Sequence, residues 1–388
     1  MNANTLSDRA AASAQSAESM TKLEGVVSKS ESAATDGPNI FKKFESGSKL
    51  IVGLTTAEYE IGLTPKDEVF CCDSVKLYRY RPLVDNVQSV PVLISYAMFG
   101  RYTMIDLEEN LSMVRKLLLQ GLDVYVIDWG IPKRSQRWLG TDDFVNGYLA
   151  DCVDVVRQRS GVASINLIGI CQGGMFSLCY AALHPQKVKN LILIVTPVDM
   201  HADIGNEKPR SGYLNRWVRA SSDEDLDSII DSWGMVPASV TATTFGMMNP
   251  IEHLMKYFNG LLPVMDDRSQ LLSFLRMERW LADRPPYPGE LMREFLRDLY
   301  KHNRLVKNEM VLGGRRVDLK NIKIPILNIF AANDTIVPPP CSRGLQGRTG
   351  TDDYSEMEIP GGHIGVFVGG RAQKILTPSI VEWLGARS

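Results

Sequence analysis

Between about residues 91 and 195 short apolar runs alternate with amphipathic stretches, and this alternation constrains the chain more than any other feature. Pro91-Val92-Leu93-Ile94, Val124-Tyr125-Val126-Ile127, Ile165 to Ile168 and Leu191 to Val195 read as buried strands. Between them, Leu107, Leu111, Val114 and Leu118 share one helical face, opened by an Asp106/Glu109 capping box and closed at Gly121. Phe144, Tyr148, Cys152 and Val155 mark a second helix, Met175 and Cys179 a third. Strands separated by helices are joined by crossovers, so the fold class is α/β: a mostly parallel sheet with helices on both faces and ligands at the carboxyl ends of the strands. A strand-like pattern begins at about residue 69, with Val75, Leu77 and the alternate tyrosines expected on one face and Lys76 and Arg79 on the other. From about 198 to 320 the alternation stops, and Gly, Pro, Trp and Met punctuate short helical stretches such as Leu271 to Leu281 and Leu291 to Tyr300, which indicates a helical cap insertion. Strands then resume at Pro325 to Phe330 and Ser355 to Ile359, before a last helix over Ile375 to Leu384.

Composition removes several functional classes. Lys and Arg number 43 against 45 Asp and Glu, a formal charge of −2, so no basic surplus is available to hold nucleic acid. The six cysteines form no CxxC and no Cys/His ligand cluster, which points to a reducing compartment and no metal. No apolar run approaches the roughly 18 residues of a membrane span, and the expected location is cytoplasmic. Residues 1–45 are rich in Ala and Ser and poor in large apolar side chains, the pattern of a disordered tail; residues 46–388 form the folded domain. Asp8, Glu18, Glu24, Glu31 and Asp36 speak against an organelle transit peptide.

The chemistry concentrates in Gly169-Ile170-Cys171-Gln172-Gly173, which follows one strand and opens the next helix. A nucleophile in such an elbow needs small flanking residues, because a Cβ there collides with neighbouring backbone. The helix N-terminus beneath Cys171 favours a thiolate, and the Gln172 backbone N–H lies where an oxyanion forms. The remaining partners follow in the order acid, then histidine: Asp334 in Asn333-Asp334-Thr335 after the Ile326–Phe330 run, and His363 in Gly361-Gly362-His363, 29 residues later. His184, His201, His253 and His302 lie in no such loop after a late strand. Phe99, in the loop Ser95-Tyr96-Ala97-Met98-Phe99-Gly100-Arg101, is the expected second oxyanion donor through its backbone N–H. Asp128, in Asp128-Trp129-Gly130, reads as a turn former. In the insertion, Trp233, Phe245, Met247, Met248, Tyr257 and Phe258 line an acyl channel, a dimer contact or the local core of the cap.

These strings, together with Leu77-Tyr78-Arg79-Tyr80-Arg81-Pro82, Gly121-Leu122-Asp123-Val124-Tyr125 and Ile127-Asp128-Trp129-Gly130, resemble the poly(3-hydroxyalkanoate) synthases, and among them the catalytic subunit of the two-subunit class III enzymes, over about Thr64 to Trp383. The resemblance implies an α/β-hydrolase fold with a cap and a polyester synthase that polymerises (R)-3-hydroxyacyl-CoA, with 3-hydroxybutyryl-CoA as the short-chain expectation. It also implies CoA release through a covalent Cys171 thioester, with Asp334 and His363 completing the triad. It implies no cofactor, coenzyme A thioester being substrate. A non-catalytic second subunit, a homodimer or hetero-oligomer, and association with the surface of polyester granules follow from the same likeness. Two departures stand out: a longer Ala/Ser tail, and Gly100 where the family pattern has Asn. The same triad also serves a cysteine-dependent thioesterase or lactone hydrolase, which hands the acyl group to water. A non-catalytic granule-binding protein would lack a triad member, and none is missing.

Overall fold

A computed structural model describes residues 40–202, 213–248 and 254–387. Its centre is an eight-stranded sheet: β1 (Lys66–Cys72), β2 (Val75–Tyr80), β3 (Val92–Ser95), β4 (Val124–Asp128), β5 (Ile165–Ile170), β6 (Val188–Ile194), β7 (Ile326–Ala331) and β8 (Tyr354–Ile359). They lie in the order β1-β2-β4-β3-β5-β6-β7-β8. β1 and β2 are antiparallel to each other, and β2 is antiparallel to β4; every later pairing is parallel. The four residues of β3 and the six of β5 are all buried, which is why those strands read as continuous apolar runs. The two-residue period divides the sheet between two cores. Leu93, Tyr125, Ile127, Leu167, Leu191 and Leu193 face the helix Gln172–Leu183. Ile94, Val126, Ile168, Ile192, Leu327 and Ile329 face the helices Met113–Leu119 and Leu376–Gly385.

Several expectations are corrected by longer-range contacts. Asp106 does not open the helix: the helix starts at Met113, and its N-cap is Ser112, whose hydroxyl accepts from Arg115 N at 3.0 Å. The buried Asp106 carboxylate instead accepts from the Thr64 hydroxyl (2.6 Å), Thr64 N (3.1 Å) and the Ser112 hydroxyl (2.6 Å). Tyr78 and Tyr80 pack on the face opposite Leu77, as strict alternation along β2 requires. The boundary expected at residue 45 falls inside a helix, Ile40–Gly53; residues 1–39 of the expected tail lie outside the described residues.

The chain forms two compact units. Among the described residues, one joins those from Ile40 to Thr55 with Met255–Leu272, and the other joins those from Thr56 to Leu254 with those from Ser273 onward. Within the first, Lys43 reaches Asp266 at 3.2 Å and the Pro263 carbonyl at 3.3 Å. The second contains the sheet and, between β6 and β7, helices that include Asp223–Trp233, Ala238–Met248 and Gly289–Glu294. A two-residue ribbon pairs Met235–Val236 with Tyr287–Pro288. The last helix spans Leu376–Gly385, shifted by one residue toward the C-terminus from the expected Ile375 to Leu384.

Candidate active site

Cys171 occupies the single residue between β5 and the Gln172–Leu183 helix, with φ 52° and ψ −122°. A non-glycine residue held at positive φ costs on the order of 1–3 kcal/mol and persists only where its surroundings over-determine it. Those surroundings are visible. Cys171 N donates to the Ile194 carbonyl at 2.8 Å, and the Cys171 carbonyl accepts from Gly174 N at 2.9 Å. A Cβ on Gly173 would stand 2.1 Å from the Ser95 carbonyl oxygen, and one on Gly169 2.5 Å from the Gly174 Cα, so both flanking glycines are required by close backbone approach.

Asp334 and His363 arrive on the loops after β7 and β8. Ala332 N donates to the Ile359 carbonyl and Asn333 N to the Gly361 carbonyl, both at 2.9 Å, so the two loops are joined along their backbones. Asp334 Oδ1 accepts from the backbone N–H groups of Ile336 and Val337, each at 2.9 Å, which fixes the carboxylate. Its Oδ2 lies 2.7 Å from His363 Nδ1. With Nδ1 engaged, Nε2 is the ring nitrogen left to exchange a proton with Cys171, whose sulfur interacts electrostatically with the imidazole. Burial alone would depress the imidazolium, but the Asp334 carboxylate and the Cys171 sulfur outweigh it and hold the His363 pKa well above the ordinary value. The arrangement can therefore keep a positive ring beside the sulfur while the Asp334 side chain, fully buried, orients it.

The expected oxyanion donors stand in different local settings. Gln172 is the first residue of its helix, where a backbone N–H has no intrahelical acceptor. In the loop after β3, Met98 N donates to Gln172 Oε1 at 3.3 Å, whereas the Phe99 N–H has no hydrogen-bond partner among the described residues. Asp128 is a turn former, as read: Oδ1 accepts from Gly130 N at 2.9 Å and Oδ2 from Arg101 Nη2 at 3.1 Å.

Sequence reasoning missed three tyrosines. Tyr96, Tyr287 and Tyr300 are buried, and desolvation pushes each phenol far up, with the Cys171 charge adding to the effect in all three. They remain protonated. Nothing local marks them, since Tyr287 and Tyr300 lie more than a hundred residues beyond Cys171. Of the apolar residues singled out in the insertion, Phe245 packs edge-on to Phe99 at 5.6 Å between centroids. Trp233, Met247, Tyr257 and Phe258 are exposed. The other described histidines are engaged elsewhere: His184 with Asn146, His201 with the Tyr300 and Lys301 carbonyls, and His302 with Asp223. His253 lies outside the described residues. Among the described residues no group of three or more His, Cys, Asp or Glu is placed to hold a metal ion, and no helix is long and apolar enough to cross a membrane.

Residues 90–370 match the α/β hydrolase fold family. The chain is 42% identical over 347 residues to the poly(3-hydroxyalkanoate) polymerase subunit PhaC of Synechocystis sp., covering 89% of this chain and 91% of that one. It is 44% identical over 336 residues to the protein of the same name from Allochromatium vinosum (86% and 92% covered), and 41% identical over 330 residues to that of Thiocystis violacea (85% and 90% covered). Matches of this extent, on a chain whose sheet carries a cysteine elbow with a histidine and a carboxylate beside it, place the protein among the poly(3-hydroxyalkanoate) polymerases, acyltransferases of the α/β hydrolase fold.

Proposed function

We propose that the chain polymerises a short-chain (R)-3-hydroxyacyl-CoA, 3-hydroxybutyryl-CoA in the first instance, through a Cys171 thioester. The observation that carries this reading is the Asp334–His363 pair, 2.7 Å apart, whose imidazole feels the charge of the Cys171 sulfur at the glycine-flanked elbow. In the first half-reaction His363 Nε2 takes the thiol proton as Sγ bonds to the thioester carbonyl carbon, and the carbonyl oxygen becomes an oxyanion facing the Gln172 and Phe99 N–H groups. Collapse breaks the bond to the coenzyme A sulfur, which leaves with the proton from the imidazolium. In the second half-reaction His363 removes the proton of a 3-hydroxyl. The alkoxide oxygen bonds to the acyl carbon, the Cys171 sulfur leaves and regains its proton, and the chain is one ester longer. Asp334 holds the tautomer and stabilises the ring cation throughout. Exchange of one thioester for another is nearly thermoneutral, so the acyl group retains the energy needed to form an oxygen ester.

Three further points belong to the same reading. The rings of Phe99 and Tyr287, stacked at 4.6 Å, fill space behind the expected oxyanion loop and are in keeping with a small acyl group. No resident cofactor takes part, coenzyme A entering and leaving as part of the substrate. A non-catalytic partner subunit completes the enzyme, in keeping with the word subunit in the relatives' names, and the assembly works as a homo- or hetero-oligomer at the surface of the polyester granule in the cytoplasm.

Release of coenzyme A from 3-hydroxybutyryl-CoA, followed with and without the partner subunit alongside turbidity, tests the reading. Wild type should release coenzyme A and turn turbid, and Cys171→Ala should do neither. Coenzyme A release with only soluble hydroxy acid would make the chain a hydrolase with the same triad.

A further inference from the structure

One short segment of the insertion grips Phe99, Gly100 and Arg101 in the loop that carries the second candidate oxyanion donor. Trp280 Nε1 donates to the Arg101 carbonyl at 2.8 Å. Its ring covers Gly100 so closely that a Cβ there would come 2.7 Å from Trp280 Cζ2. Arg284 Nη1 donates to the Phe99 carbonyl at 3.1 Å. The Tyr287 ring stacks on the Phe99 ring at 4.6 Å with 15° between planes. The Tyr287 hydroxyl accepts from Gln172 Nε2, and the other end of that amide accepts from Met98 N at 3.3 Å. Three side chains thus fasten residues 98 to 101, and one of them ties the loop to the residue that follows the nucleophile.

Arg284 is unusual among these. It is half-buried, with its guanidinium 5.1 Å from the Phe245 ring centre and 5.9 Å from that of Trp280, and it forms no ion pair among the described residues. Its remaining hydrogen bond goes to the Leu281 carbonyl at 3.1 Å, within its own segment. A desolvated guanidinium directed at a backbone carbonyl is costly for packing alone, since an aliphatic side chain would fill the space without losing hydration. Gly100, the departure from the family pattern noted above, is what gives Trp280 room to lie against the loop.

We infer that Arg284 and Tyr287, backed by Trp280, are positioning residues that hold Phe99 and Gln172 together as one oxyanion-binding pair. The donors belong to loops on the sheet, but their spacing is set from the insertion. Movement of residues 280–287 away from the sheet would release the Phe99 carbonyl, the Phe99 ring and the Gln172 amide at once. The acylation step would then be switched off without any change at Cys171, Asp334 or His363. This inference rests on the acyl-transfer reading of the site, though not on polymerisation.

The test is the rate at which Cys171 is acylated by a short acyl thioester, read as released thiol and as added mass on the protein; polymerase and hydrolase share this step. Tyr287→Phe keeps the stacked ring and removes only the hydroxyl. It should slow acylation by about 10- to 100-fold, the range for a displaced oxyanion donor, with KM within about twofold of wild type. Arg284→Met should behave alike, and Arg284→Lys should restore most of the loss. In a Gln172→Leu background Tyr287→Phe should add almost nothing, because its effect passes through that amide. Gly100→Ala, which displaces Trp280 and with it the ring beside Arg284, should lower the same rate. A Tyr287→Phe enzyme within about twofold of wild type, a loss confined to KM, or effects of Tyr287→Phe and Gln172→Leu that multiply would each overturn the inference. Absence of acylation in wild type would overturn the acyl-transfer reading and this inference with it.

Discussion

The two halves of the site are built by different means. On the sheet, Cys171, Asp334 and His363 are placed by backbone: the elbow by close glycine contacts and the bond to Ile194, the carboxylate by two N–H groups, the loops by the seam between Asn333 and Gly361. On the insertion, Trp280, Arg284 and Tyr287 reach the loop after β3 with side chains, through ring stacking and single hydrogen bonds. Backbone placement leaves few alternatives for a reactive group. Side-chain placement can be let go and remade, which suits a region past which a polymerase must pass a growing polyester chain.

The contrast is sharpest in activity. Asp334→Asn removes the charge that fixes the His363 tautomer, and kcat should fall by about 10⁴, far beyond the losses expected for Arg284 or Tyr287. Steady-state kinetics of the variants under one set of conditions checks the ranking, and an Asp334→Asn enzyme no worse than Tyr287→Phe would dissolve the distinction. A smaller effect, in stability, separates structural from reactive carboxylates on the sheet side. Asp106→Ala strands the Thr64 N–H and two hydroxyls in the core and should cost about 3 kcal/mol in urea denaturation while the enzyme that remains folded keeps its turnover.

The smallest effect is a pH slope. The native His363 pKa is raised above the roughly 6.5 of an unfolded chain, so the ring contributes stability that is whole below about pH 6.5 and lost as the pH climbs through the native value. Denaturation midpoints measured from pH 6 to 9 should fall with pH in wild type, and the slope should flatten in His363→Gln. Equal slopes would remove the ion-paired picture of the ring.

The part of this site that could be read from the sequence is the part made by backbone. Two glycines around Cys171 declare an elbow because only close contacts demand them, and Asp334 and His363 declare themselves by standing just after strands. The alternation of strands and helices likewise gave the parallel sheet. Asp106 misled for a physical reason. Its spacing from Glu109 is that of a capping box, yet its carboxylate is recruited by Thr64, 42 residues earlier in the chain. Tyr287 and Tyr300 could not be read at all, because their burial beside the sheet depends on how the insertion packs and leaves no period in the local pattern. Nor does any motif announce Arg284; its role depends on a carbonyl 185 residues away.

The seam between the loops after β7 and β8 also bears on motion. Because Ala332 and Asn333 are bonded to Ile359 and Gly361, thermal breathing of that side of the sheet displaces carboxylate and imidazole as a common mode. Their 2.7 Å separation is insulated from it. The sulfur hangs from β5, with β6 between it and β7, and so lies outside that seam. Of the two gaps in the relay, one is thus kept constant by construction, and the fluctuating coordinate is the distance between imidazole and sulfur.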